Sequence, residues 1–272
     1  MDIKLIAIDM DGTLLRGDSS ISPRTREVIQ SVIDAGYYVA PATGRSYRNA
    51  AHVLREFEGI AYYVNANGAI AVQAQGEKVI HTQVIPYQTV REICDLAGQY
   101  ELFVELYEGL DAYVDKYGVK YLYQAGLMKS YCDQLLSTDI ELDSLDSFVE
   151  DPARQIGKIH IVCMNVDQKF QLKRQIDALE GVNPVSVIPI NLEIVQGAWS
   201  KADGLNKLTE YLHLKPENVL AIGDSDNDLD MLKWAGASVA MGNGNQHVKE
   251  VADYVTSSNE EDGVAKALLR YL

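Results

Sequence analysis

Two short apolar segments, each followed directly by an aspartate, constrain the fold of this chain more than any other feature. Residues 3–8 (IKLIAI) precede Asp9, and residues 218–223 (NVLAIG) precede Asp224. Segments of this length and apolar content are typical of strands buried on both faces, as in the centre of a parallel sheet. Ligands of parallel α/β sheets bind beyond the carboxyl ends of the strands, so both aspartates fall where a ligand site is expected.

The pattern of strand followed by helix recurs near both ends of the chain. Ser22 and Pro23 supply an N-cap and a first-turn residue for a helix that ends near Gly36. The other elements predicted in these parts are strands at 37–42, 61–66 and 237–241 and helices from 46, over 229–235 and from 262. This alternation predicts an α/β fold with a doubly wound parallel sheet.

The middle of the chain has a different pattern, which predicts a separate, inserted α+β domain over residues 86–189. A hairpin around Gln75 and Gly76 comes just before it. Inside it the sequence predicts helices at 89–100 and 168–179, strands at 102–107, 112–115, 158–164 and 185–190, and a loose stretch up to Pro152. Residues 1–85 and 190–272 are then predicted to form one α/β core from both ends of the chain.

The net charge excludes several classes of partner. Lys and Arg total 24 against 39 Asp and Glu, a formal net charge of −15, which disfavours binding to nucleic acid or to an anionic membrane surface. The 16 tyrosines are not accompanied by a basic stripe, so stacking on nucleic acid is not expected either. An anionic substrate would have to be attracted by a few local cations, by helix N-termini or by a metal ion.

Segment hydropathy and cysteine use predict a location in the reducing cytoplasm. No apolar run reaches the roughly 18 residues of a membrane span, and the N-terminus enters a charged motif before a signal-peptide core is completed. Cys94, Cys132 and Cys163 are far apart, so neither a disulfide framework nor a zinc site is predicted. The five histidines lack metal-ligand spacing and are assigned to packing or to the surface. The sequence does not define an oligomeric state.

Asp9 and Asp11 form a pair of carboxylates after the first predicted strand. They are two positions apart, so in an extended segment both side chains lie on one side of the chain. Two acids directed at one small volume repel each other unless a cation or a shared proton compensates. The alternative is a turn in which the Asp side chains and the Gly backbone serve only local hydrogen bonds.

Three further groups stand at the ends of predicted elements. Thr43 and Gly44 follow the second strand, with a hydroxyl and a backbone N–H that a ligand can approach. Lys201 lies near the start of a helix capped by Ser200, and residues 223–228 (GDSDND) follow the late apolar strand. Each has an ordinary explanation, as a turn, a solvated helix start or an acidic loop. Their common position at element ends favours one shared site.

These motifs together are similar to those of one enzyme family. The chain resembles the haloacid dehalogenase-like phosphohydrolase superfamily, specifically its Cof-type branch, the type IIB capped phosphatases. The paired DxDGT and GDSxND motifs with a lysine between them are highly specific. The matching segments are IDMDGTLL (8–15), ATGRS (42–46), NGA (67–69), SKADGL (200–205), IGDSDNDLDML (222–232), MGN (241–243), VKEVADYVT (248–256) and EDGVA (261–265). The resemblance implies that residues 1–85 and 190–272 form the catalytic core and residues 86–189 a cap that selects the substrate.

The resemblance implies a Mg²⁺-dependent phosphatase that acts on small phosphorylated metabolites such as sugar phosphates. Asp9 would be the nucleophile that forms an aspartyl-phosphate, and the Asp11 side chain would be the general acid and later the base. Mg²⁺ would be held by the carboxylates of Asp9 and Asp224 and by the backbone carbonyl of Asp11. A cation is needed because a carboxylate about 4 Å from a phosphate dianion is repelled by roughly 8 kcal/mol at an effective dielectric near 20.

The resemblance also assigns the groups that would hold the phosphoryl oxygens. Thr43, the Gly44 N–H and Lys201 would donate hydrogen bonds to these oxygens as charge builds in the transition state. Asn227 would reach the phosphate. Asp228 would orient Lys201 or the waters bound to the metal.

Two alternatives to a phosphatase, and the role of Arg45, remain open at this point. A phosphomutase would share the aspartyl-phosphate and differ only in excluding water from it. A non-enzymatic module that senses phosphate, or is phosphorylated like a receiver domain, belongs to another class. Receivers are far shorter than 272 residues and carry their acidic pair and phosphorylated aspartate on different strands. Arg45 would either contact substrate or form a structural ion pair.

Overall fold

The computed structural model describes residues 2–272, which contain 14 β-strands and 11 α-helices. The strands are β1 (Leu5–Ile8), β2 (Tyr38–Pro41), β3 (Tyr62–Asn65), β4 (Ile70–Gln73), β5 (Lys78–Thr82), β6 (Phe103–Glu108), β7 (Asp111–Asp115), β8 (Ile140–Leu142), β9 (Ile156–Val162), β10 (Val182–Val185), β11 (Asn191–Gln196), β12 (Val219–Gly223), β13 (Ala237–Ala240) and β14 (Tyr254–Val255). The helices are α1 (Pro23–Asp34), α2 (Tyr47–Val53), α3 (Tyr87–Ala97), α4 (Val119–Gln124), α5 (Lys129–Leu136), α6 (Leu145–Val149), α7 (Val166–Ile176), α8 (Lys201–Leu212), α9 (Leu229–Trp234), α10 (Gln246–Val251) and α11 (Gly263–Tyr271). Single 3₁₀ turns lie at Ala66–Gly68, Gln75–Glu77, Pro216–Asn218, Asp226–Asp228 and Asn259–Glu261.

The described chain divides into two compact units, and each is treated by itself. The first unit comprises the chain up to Arg45, Val53–His81 and Ser200–Leu272. The second comprises Ser46–His52 and Thr82–Trp199. The second unit thus starts before the predicted position 86, ends after 189 and includes a short segment of the N-terminal part.

A five-stranded parallel sheet with the order β14-β13-β12-β1-β2 forms the centre of the first unit. β1 lies between β12 and β2, with Ile8 opposite Ile222 on one side and opposite Pro41 on the other. The carboxyl ends of these three strands are therefore adjacent. This parallel sheet, with helices packed on it, confirms the predicted α/β fold.

The apolar sequences of β1 and β12 follow from their complete burial. Every residue of both strands is buried, and side chains such as Leu5 share a core with Leu205 and Leu208 of α8 and Leu232 of α9. Burying a large aliphatic side chain stabilises the fold by about 1.5–3 kcal/mol. The parallel sheet therefore supplies a rigid base for the polar residues that follow its strands.

A second, three-stranded sheet of the order β3-β4-β5 carries the predicted hairpin. β3 and β4 pair in antiparallel fashion, and Gly76 adopts a left-handed φ of 73° in the turn before β5. This sheet adjoins β2 through a parallel bridge between Ala42 and Val64, and the Thr43 N–H donates to the Val64 carbonyl at 2.9 Å. The segment after β2 is thereby fixed beside β3.

The second unit is built on a six-stranded sheet of the order β10-β11-β9-β6-β7-β8, antiparallel except between β7 and β8. One face packs against α3, α6 and α7, with buried residues that include Leu106, Ile159 and Ile194. Part of the other face packs against α4 and α5 through residues that include Phe103 and Val162. The unit has its own apolar cores, as expected for a separate α+β domain.

Two predictions inside the second unit are wrong. The stretch before Pro152, predicted to be loose, holds α4, α5, β8 and α6. The strand predicted at 185–190 is replaced by β10 and β11 on either side of a turn, in which the Val187 and Ile188 N–H groups donate to Asn191 Oδ1 at 3.0 Å. β11 pairs with β9, so it extends the second sheet beyond the predicted boundary.

Two observations concern the predictions about membranes and cysteines. Among residues 2–272, no helix combines the length and the apolar character that crossing a membrane requires. Cys94, Cys132 and Cys163 are buried and are not in disulfide bonds.

Candidate active site

The residues predicted from the motifs in the first unit follow three adjacent strands or begin α8. Asp9 comes directly after β1, and its N–H donates to the Ile222 carbonyl of β12 at 3.0 Å. Asp224 comes directly after β12, and Thr43 follows β2 by two positions. Because these strands are parallel neighbours, their polar residues leave the sheet at the same end.

Lys201 joins two of these segments by ion pairs. Its Nζ donates to Oδ1 of Asp9 at 2.6 Å and to Oδ1 of Asp228 at 2.6 Å. Lys201 and Asp228 are fully buried, and Asp9 is 4% exposed. An ammonium group buried between two carboxylates makes strong charge-assisted hydrogen bonds that fix all three side chains.

The start of α8 explains how Lys201 reaches this position. The Ser200 N–H donates to Oδ2 of Asp203 at 2.9 Å, and a reciprocal capping box starts the helix at Lys201. A lysine in the first turn is unfavourable, because the helix dipole places partial positive charge there. The carboxylates of Asp9 and Asp228 offset this unfavourable charge interaction. Lys201 therefore contributes to the site rather than to the stability of the helix.

The buried site contains more carboxylates than cationic groups, and this affects their pKa values. Burial, followed by the Asp228 carboxylate, raises the pKa of Asp9 well above its usual value, although Lys201 opposes the shift. The same two causes raise the pKa of Asp224 to about 6, opposed by the Thr13 hydroxyl. Burial lowers the pKa of Lys201, but Asp228 and Asp9 outweigh burial and hold the pKa above its usual value. Three carboxylates therefore face one ammonium group, an arrangement that a divalent cation would balance.

Asp224 is oriented by residues of the DxDGT motif. Thr13 Oγ1 donates to Asp224 Oδ1 at 2.7 Å. Gly12 has a left-handed φ of 84°, and a Cβ there would lie 2.5 Å from Asp224 Oδ2. Asn243 of the MGN motif donates from Nδ2 to the Gly12 carbonyl at 2.7 Å. Gly12 is therefore required by its conformation and by the approach of Asp224.

The carboxylates of Asp9, Asp224 and Asp228 each present an oxygen within 4.8 Å of the others, so they are able to surround a metal ion. The Asp228 oxygens are already engaged, because Oδ1 pairs with Lys201 and Oδ2 accepts from the Asp224 and Ser225 N–H groups at 2.9 and 3.0 Å. Asp9 and Asp224 are therefore the carboxylates best suited to a hard cation that prefers oxygen ligands. This donor set fits the magnesium ion that the family resemblance implies.

The Asp11 side chain is bound by Arg45. Arg45 Nε donates to Asp11 Oδ2 at 2.7 Å, and Nη2 donates to Asp11 Oδ1 at 2.6 Å. Arg45 is 5% exposed, whereas the Asp11 side chain is 41% exposed. Of the two roles that the sequence leaves open for Arg45, the structure contains the ion pair.

Thr43 and Gly44 belong to a tight segment between β2 and Arg45. Thr43 is buried, and its Oγ1 accepts from the Arg45 N–H at 3.2 Å. The Thr43 carbonyl accepts from the Asn67 N–H at 3.1 Å. Gly44, between Thr43 and Arg45, is half-buried. This segment follows the β2 end, beside the segment that carries Asp9.

Asn227 is placed by contacts outside the buried ion-pair cluster. Its Oδ1 accepts from Ser225 Oγ at 2.6 Å, and its Nδ2 donates to Asn67 Oδ1 at 3.4 Å. The structure thus brings Asp9, Lys201 and Asp228 into direct contact and places Asp224 among them, whereas Asn227 contacts Asn67. The contacts of Thr13 and Asn67 were not predicted from the sequence, although Thr13 lies in the DxDGT motif and Asn67 in the NGA motif.

The chain is similar to known proteins over nearly its whole length. The family model described as haloacid dehalogenase-like hydrolase matches residues 6–268. The 5-amino-6-(5-phospho-D-ribitylamino)uracil phosphatase YitU of Bacillus subtilis is 34% identical over 271 residues, which cover 98% of this chain and 97% of that protein. YcsE of the same organism, named as a phosphatase of the same compound, is 30% identical over 275 residues, covering 100% and 97%.

A solved structure agrees with this likeness over the whole length. A haloacid dehalogenase-like hydrolase from Bacteroides thetaiotaomicron superimposes with a TM-score of 0.84 at 30% identity, covering 99% of this chain and 100% of that one. The similarity therefore includes both units as well as the motif residues. The chain belongs to the haloacid dehalogenase-like hydrolases and is a phosphatase, as its motifs predict.

Proposed function

We propose that this protein is a Mg²⁺-dependent phosphatase that hydrolyses small phosphorylated metabolites through an aspartyl-phosphate on Asp9. The observation that carries the proposal is the buried position of Asp9, which is held by Lys201 at 2.6 Å and lies beside Asp224. A carboxylate held in place by an ammonium group is suited to attack phosphorus, because phosphoryl transfer depends mainly on positioning and on charge stabilisation.

The residues present fit a magnesium ion. The carboxylates of Asp9 and Asp224, with the backbone carbonyl of Asp11, would hold it, since Mg²⁺ prefers oxygen ligands and keeps several waters. When bound, the ion supplies the positive charge that offsets the repulsion between the Asp9 carboxylate and a phosphate dianion. That repulsion is about 8 kcal/mol at 4 Å and an effective dielectric near 20.

The first half of the proposed reaction transfers the phosphoryl group to Asp9. A carboxylate oxygen of Asp9 forms a bond to phosphorus while the bond from phosphorus to the ester oxygen breaks. Asp11 takes up a proton from solvent on the oxygen that Arg45 releases, and it donates that proton to the leaving oxygen as the alcohol departs. Lys201, Thr43 and the Gly44 N–H hold the equatorial oxygens of the phosphoryl group.

The second half releases phosphate. Asp11, now a carboxylate, takes a proton from a water molecule whose oxygen attacks phosphorus, and the bond to Asp9 breaks. Inorganic phosphate leaves and both aspartates return to their starting states. Asp228, which binds Lys201 at 2.6 Å, keeps the ammonium group in place through both halves. Asn227 is proposed to reach the phosphate from the Asn67 side of the site.

The second unit is proposed to recognise the part of the substrate that departs. One face of its sheet carries a polar row across three neighbouring strands, with Glu193 opposite His160 and His160 opposite Glu105. His160 Nδ1 lies 2.9 Å from Glu105 Oε2, and Lys158 Nζ lies 3.0 Å from Glu193 Oε2. We call Glu105, Lys158, His160, Asn191 and Glu193 the polar row.

The charges of the polar row favour one class of leaving group. The row holds two carboxylates, Glu193 paired with Lys158 and Glu105 paired with His160. Hydroxyl and amino groups therefore find acceptors there, whereas a second phosphate or a carboxylate would be repelled. Retaining charges in the sheet of a small domain gains little stability, which supports a role in recognition. The relatives YitU and YcsE, named for a substrate with a phosphorylated ribityl chain and an aminouracil, supply the first compound to test.

The proposal is tested by measuring release of inorganic phosphate from a panel of phosphorylated metabolites. The panel includes 5-amino-6-(5-phospho-D-ribitylamino)uracil, hexose and pentose phosphates, and a bisphosphate, each with and without Mg²⁺. We expect Mg²⁺-dependent release with the highest kcat/KM on a monophosphate rich in hydroxyl or amino groups. Transfer of phosphate to a second position of a sugar, without its release, would instead identify a phosphomutase.

The cytoplasmic location and the role of residues 86–189 as the substrate-selecting cap stay predictions. The non-enzymatic sensing module is set aside, because the chain belongs to a family of hydrolases.

A further inference from the structure

The NGA motif at residues 67–69 has no role in the reaction proposed above, yet its backbone is held in an unusual conformation. Ala66, Asn67 and Gly68 have φ values of 51°, 53° and 90° in succession, directly after β3. A residue with a side chain in the left-handed region costs roughly 1–2 kcal/mol. Such a run persists only where the surrounding contacts fix it, and it marks a segment whose shape matters to a site.

One side of this segment, Ala66–Gly68, binds the backbone of the predicted phosphate-binding segment. The Asn67 N–H donates to the Thr43 carbonyl at 3.1 Å, and the Ala66 N–H donates to the Arg45 carbonyl at 3.0 Å. Thr43, Gly44 and Arg45 are thereby clamped at both ends. The positions of the Thr43 hydroxyl and the Gly44 N–H depend on where this clamp lies.

The other side of the segment packs against the first turn of α8. A Cβ added at Gly68 would overlap the Ser200 carbonyl oxygen and lie 3.0 Å from Lys201 Cα. A Cβ added at Gly204, one turn further along α8, would lie 2.6 Å from both Cα and the carbonyl oxygen of Gly68. Two glycines therefore bring the loop backbone and the helix backbone into direct contact beside Lys201.

A third contact reaches the loop that carries Asp228. Asn227 Nδ2 donates to Asn67 Oδ1 at 3.4 Å, and Asn67 is 4% exposed. Ala66–Gly68 therefore contacts all three segments that supply the proposed phosphate ligands. These segments carry Thr43 and Gly44, Lys201, and Asn227.

We infer that Ala66–Gly68 is a positioning element that sets the separation between the Thr43–Gly44 donors and the Lys201 ammonium group. Asn67 and Gly68 are positioning residues, acting through groups that hold the phosphoryl oxygens, and the inference rests on the proposed function. Donors aimed at developing charge are effective only within a few tenths of an ångström of their correct places. A displacement of about 1 Å would therefore weaken transition-state binding more than substrate binding.

The experiment compares Gly68→Ala with Gly36→Ala in the full-length protein. Both glycines have φ of 90°, but a Cβ at Gly36 would meet nothing within 4 Å. The backbone strain of an alanine is therefore matched, and only the contact with α8 differs. The readouts are kcat and KM for p-nitrophenyl phosphate, the inhibition constant of orthovanadate, which mimics the phosphoryl group in transfer, and the thermal unfolding midpoint.

We expect Gly68→Ala to lower kcat at least tenfold, with KM changed less than threefold, and to raise the orthovanadate inhibition constant at least tenfold. Gly36→Ala is expected to lower the unfolding midpoint while kcat and the inhibition constant stay within twofold of wild type. A folded Gly68→Ala variant with a lower midpoint and wild-type kcat and vanadate inhibition would overturn the inference, because the loop would then be only structural.

A second variant decides the question if Gly68→Ala does not fold. Gly204 lies inside α8, where alanine is a better helix former by about 1 kcal/mol, so Gly204→Ala presses on Gly68 without straining its own backbone. It is expected to lower kcat and weaken vanadate inhibition at least fivefold, with Asn206→Ala on the same helix as control. Unchanged kinetics in Gly204→Ala would overturn this inference and leave the proposed function standing. A wild-type protein that neither hydrolyses p-nitrophenyl phosphate nor responds to vanadate would overturn the proposed function as well.

Discussion

Arg45 binds both carboxylate oxygens of Asp11, through Nε at 2.7 Å and through Nη2 at 2.6 Å. A planar guanidinium that grips a carboxylate with two parallel hydrogen bonds fixes the direction of that carboxylate as well as its charge. Arg45 itself is held, because its N–H donates to Thr43 Oγ1. The proposed general acid and a proposed phosphate ligand are therefore linked through one arginine.

Replacing Arg45 should separate proton transfer from the rest of the reaction. We expect Arg45→Ala to lower kcat about 10- to 100-fold for alkyl phosphates, because Asp11 loses the group that orients it. For p-nitrophenyl phosphate, whose leaving group needs no proton, the loss should be smaller. The measurement is kcat across a series of leaving groups of rising pKa. Arg24→Ala is the control, because it removes only an exposed ion pair with Glu27. An equal loss across the series would mean that Arg45 acts on something other than Asp11.

Asp9→Asn should abolish turnover and leave the fold intact. The amide is nearly isosteric but is a poor nucleophile, so we expect a loss of at least about 10⁴-fold in kcat. The unfolding midpoint should not fall, because burial raises the pKa of Asp9 and the substitution removes an unfavourable buried charge. Phosphate release and thermal unfolding measure the two effects. Substantial residual turnover would place the nucleophile elsewhere.

The sequence was sufficient to predict which residues of the candidate site lie together, because most of them directly follow strands of one parallel sheet. The apolar segments before Asp9 and Asp224 require buried strands, and parallel neighbours bring their carboxyl ends together. Ser22 likewise caps α1 as predicted, with its Oγ accepting from the Thr25 N–H at 3.0 Å. Strands and helix caps are determined by residues close together in the chain, so the local sequence pattern predicts them.

The remainder depends on contacts between distant residues. Arg45 and Asp11 are 34 positions apart, and nothing in either motif specifies their pairing. In the second unit, β11 contains Asn191 and Glu193, which are buried with polar partners, so it lacks the apolar pattern of a buried strand. The short helix α4 has six residues, too few for a helical period to stand out from the sequence.

Removal of divalent metal should abolish activity reversibly. We expect no turnover with EDTA and full recovery with Mg²⁺, because Asp9 and Asp224 need a cation to balance their charge and that of the phosphate. Ca²⁺ should inhibit, since it accepts more ligands and looser geometry and so engages both oxygens of Asp9. Asp224→Asn should raise the Mg²⁺ concentration for half-maximal activity at least tenfold. Full turnover in metal-free buffer would contradict the mechanism.

Asp139 should make stability depend on pH. Neither of its buried oxygens has a hydrogen-bond partner among the described residues, and burial, with Glu105 nearby, raises its pKa to about 9. The unfolded chain releases this proton near pH 3.9, the usual value. Between these two values the folded chain holds a proton that the unfolded chain has lost, so the free energy of unfolding falls as pH rises.

Asp139→Asn removes that penalty. We expect the free energy of unfolding of the variant to exceed that of wild type by about 1–3 kcal/mol at pH 8 and by much less at pH 5. Thermal or urea unfolding at both pH values measures this difference. Asp133→Asn serves as the control of opposite sign, because hydrogen bonds from Lys129 and Tyr123 lower the pKa of Asp133. An equal gain at both pH values would show that the charge of Asp139 is not the cause.

The polar row should govern which leaving group is accepted. Glu193→Gln removes one of its two carboxylates, so we expect kcat/KM for a bisphosphate or a carboxylate-bearing phosphate to rise at least fivefold relative to a polyol phosphate. The kcat for p-nitrophenyl phosphate should stay within twofold, because that leaving group makes few polar contacts. Glu180→Gln, at an exposed position of the same unit, is the matched control. If Glu193→Gln and the control both left the ranking of the panel as in wild type, selection of the substrate would have to lie outside the polar row.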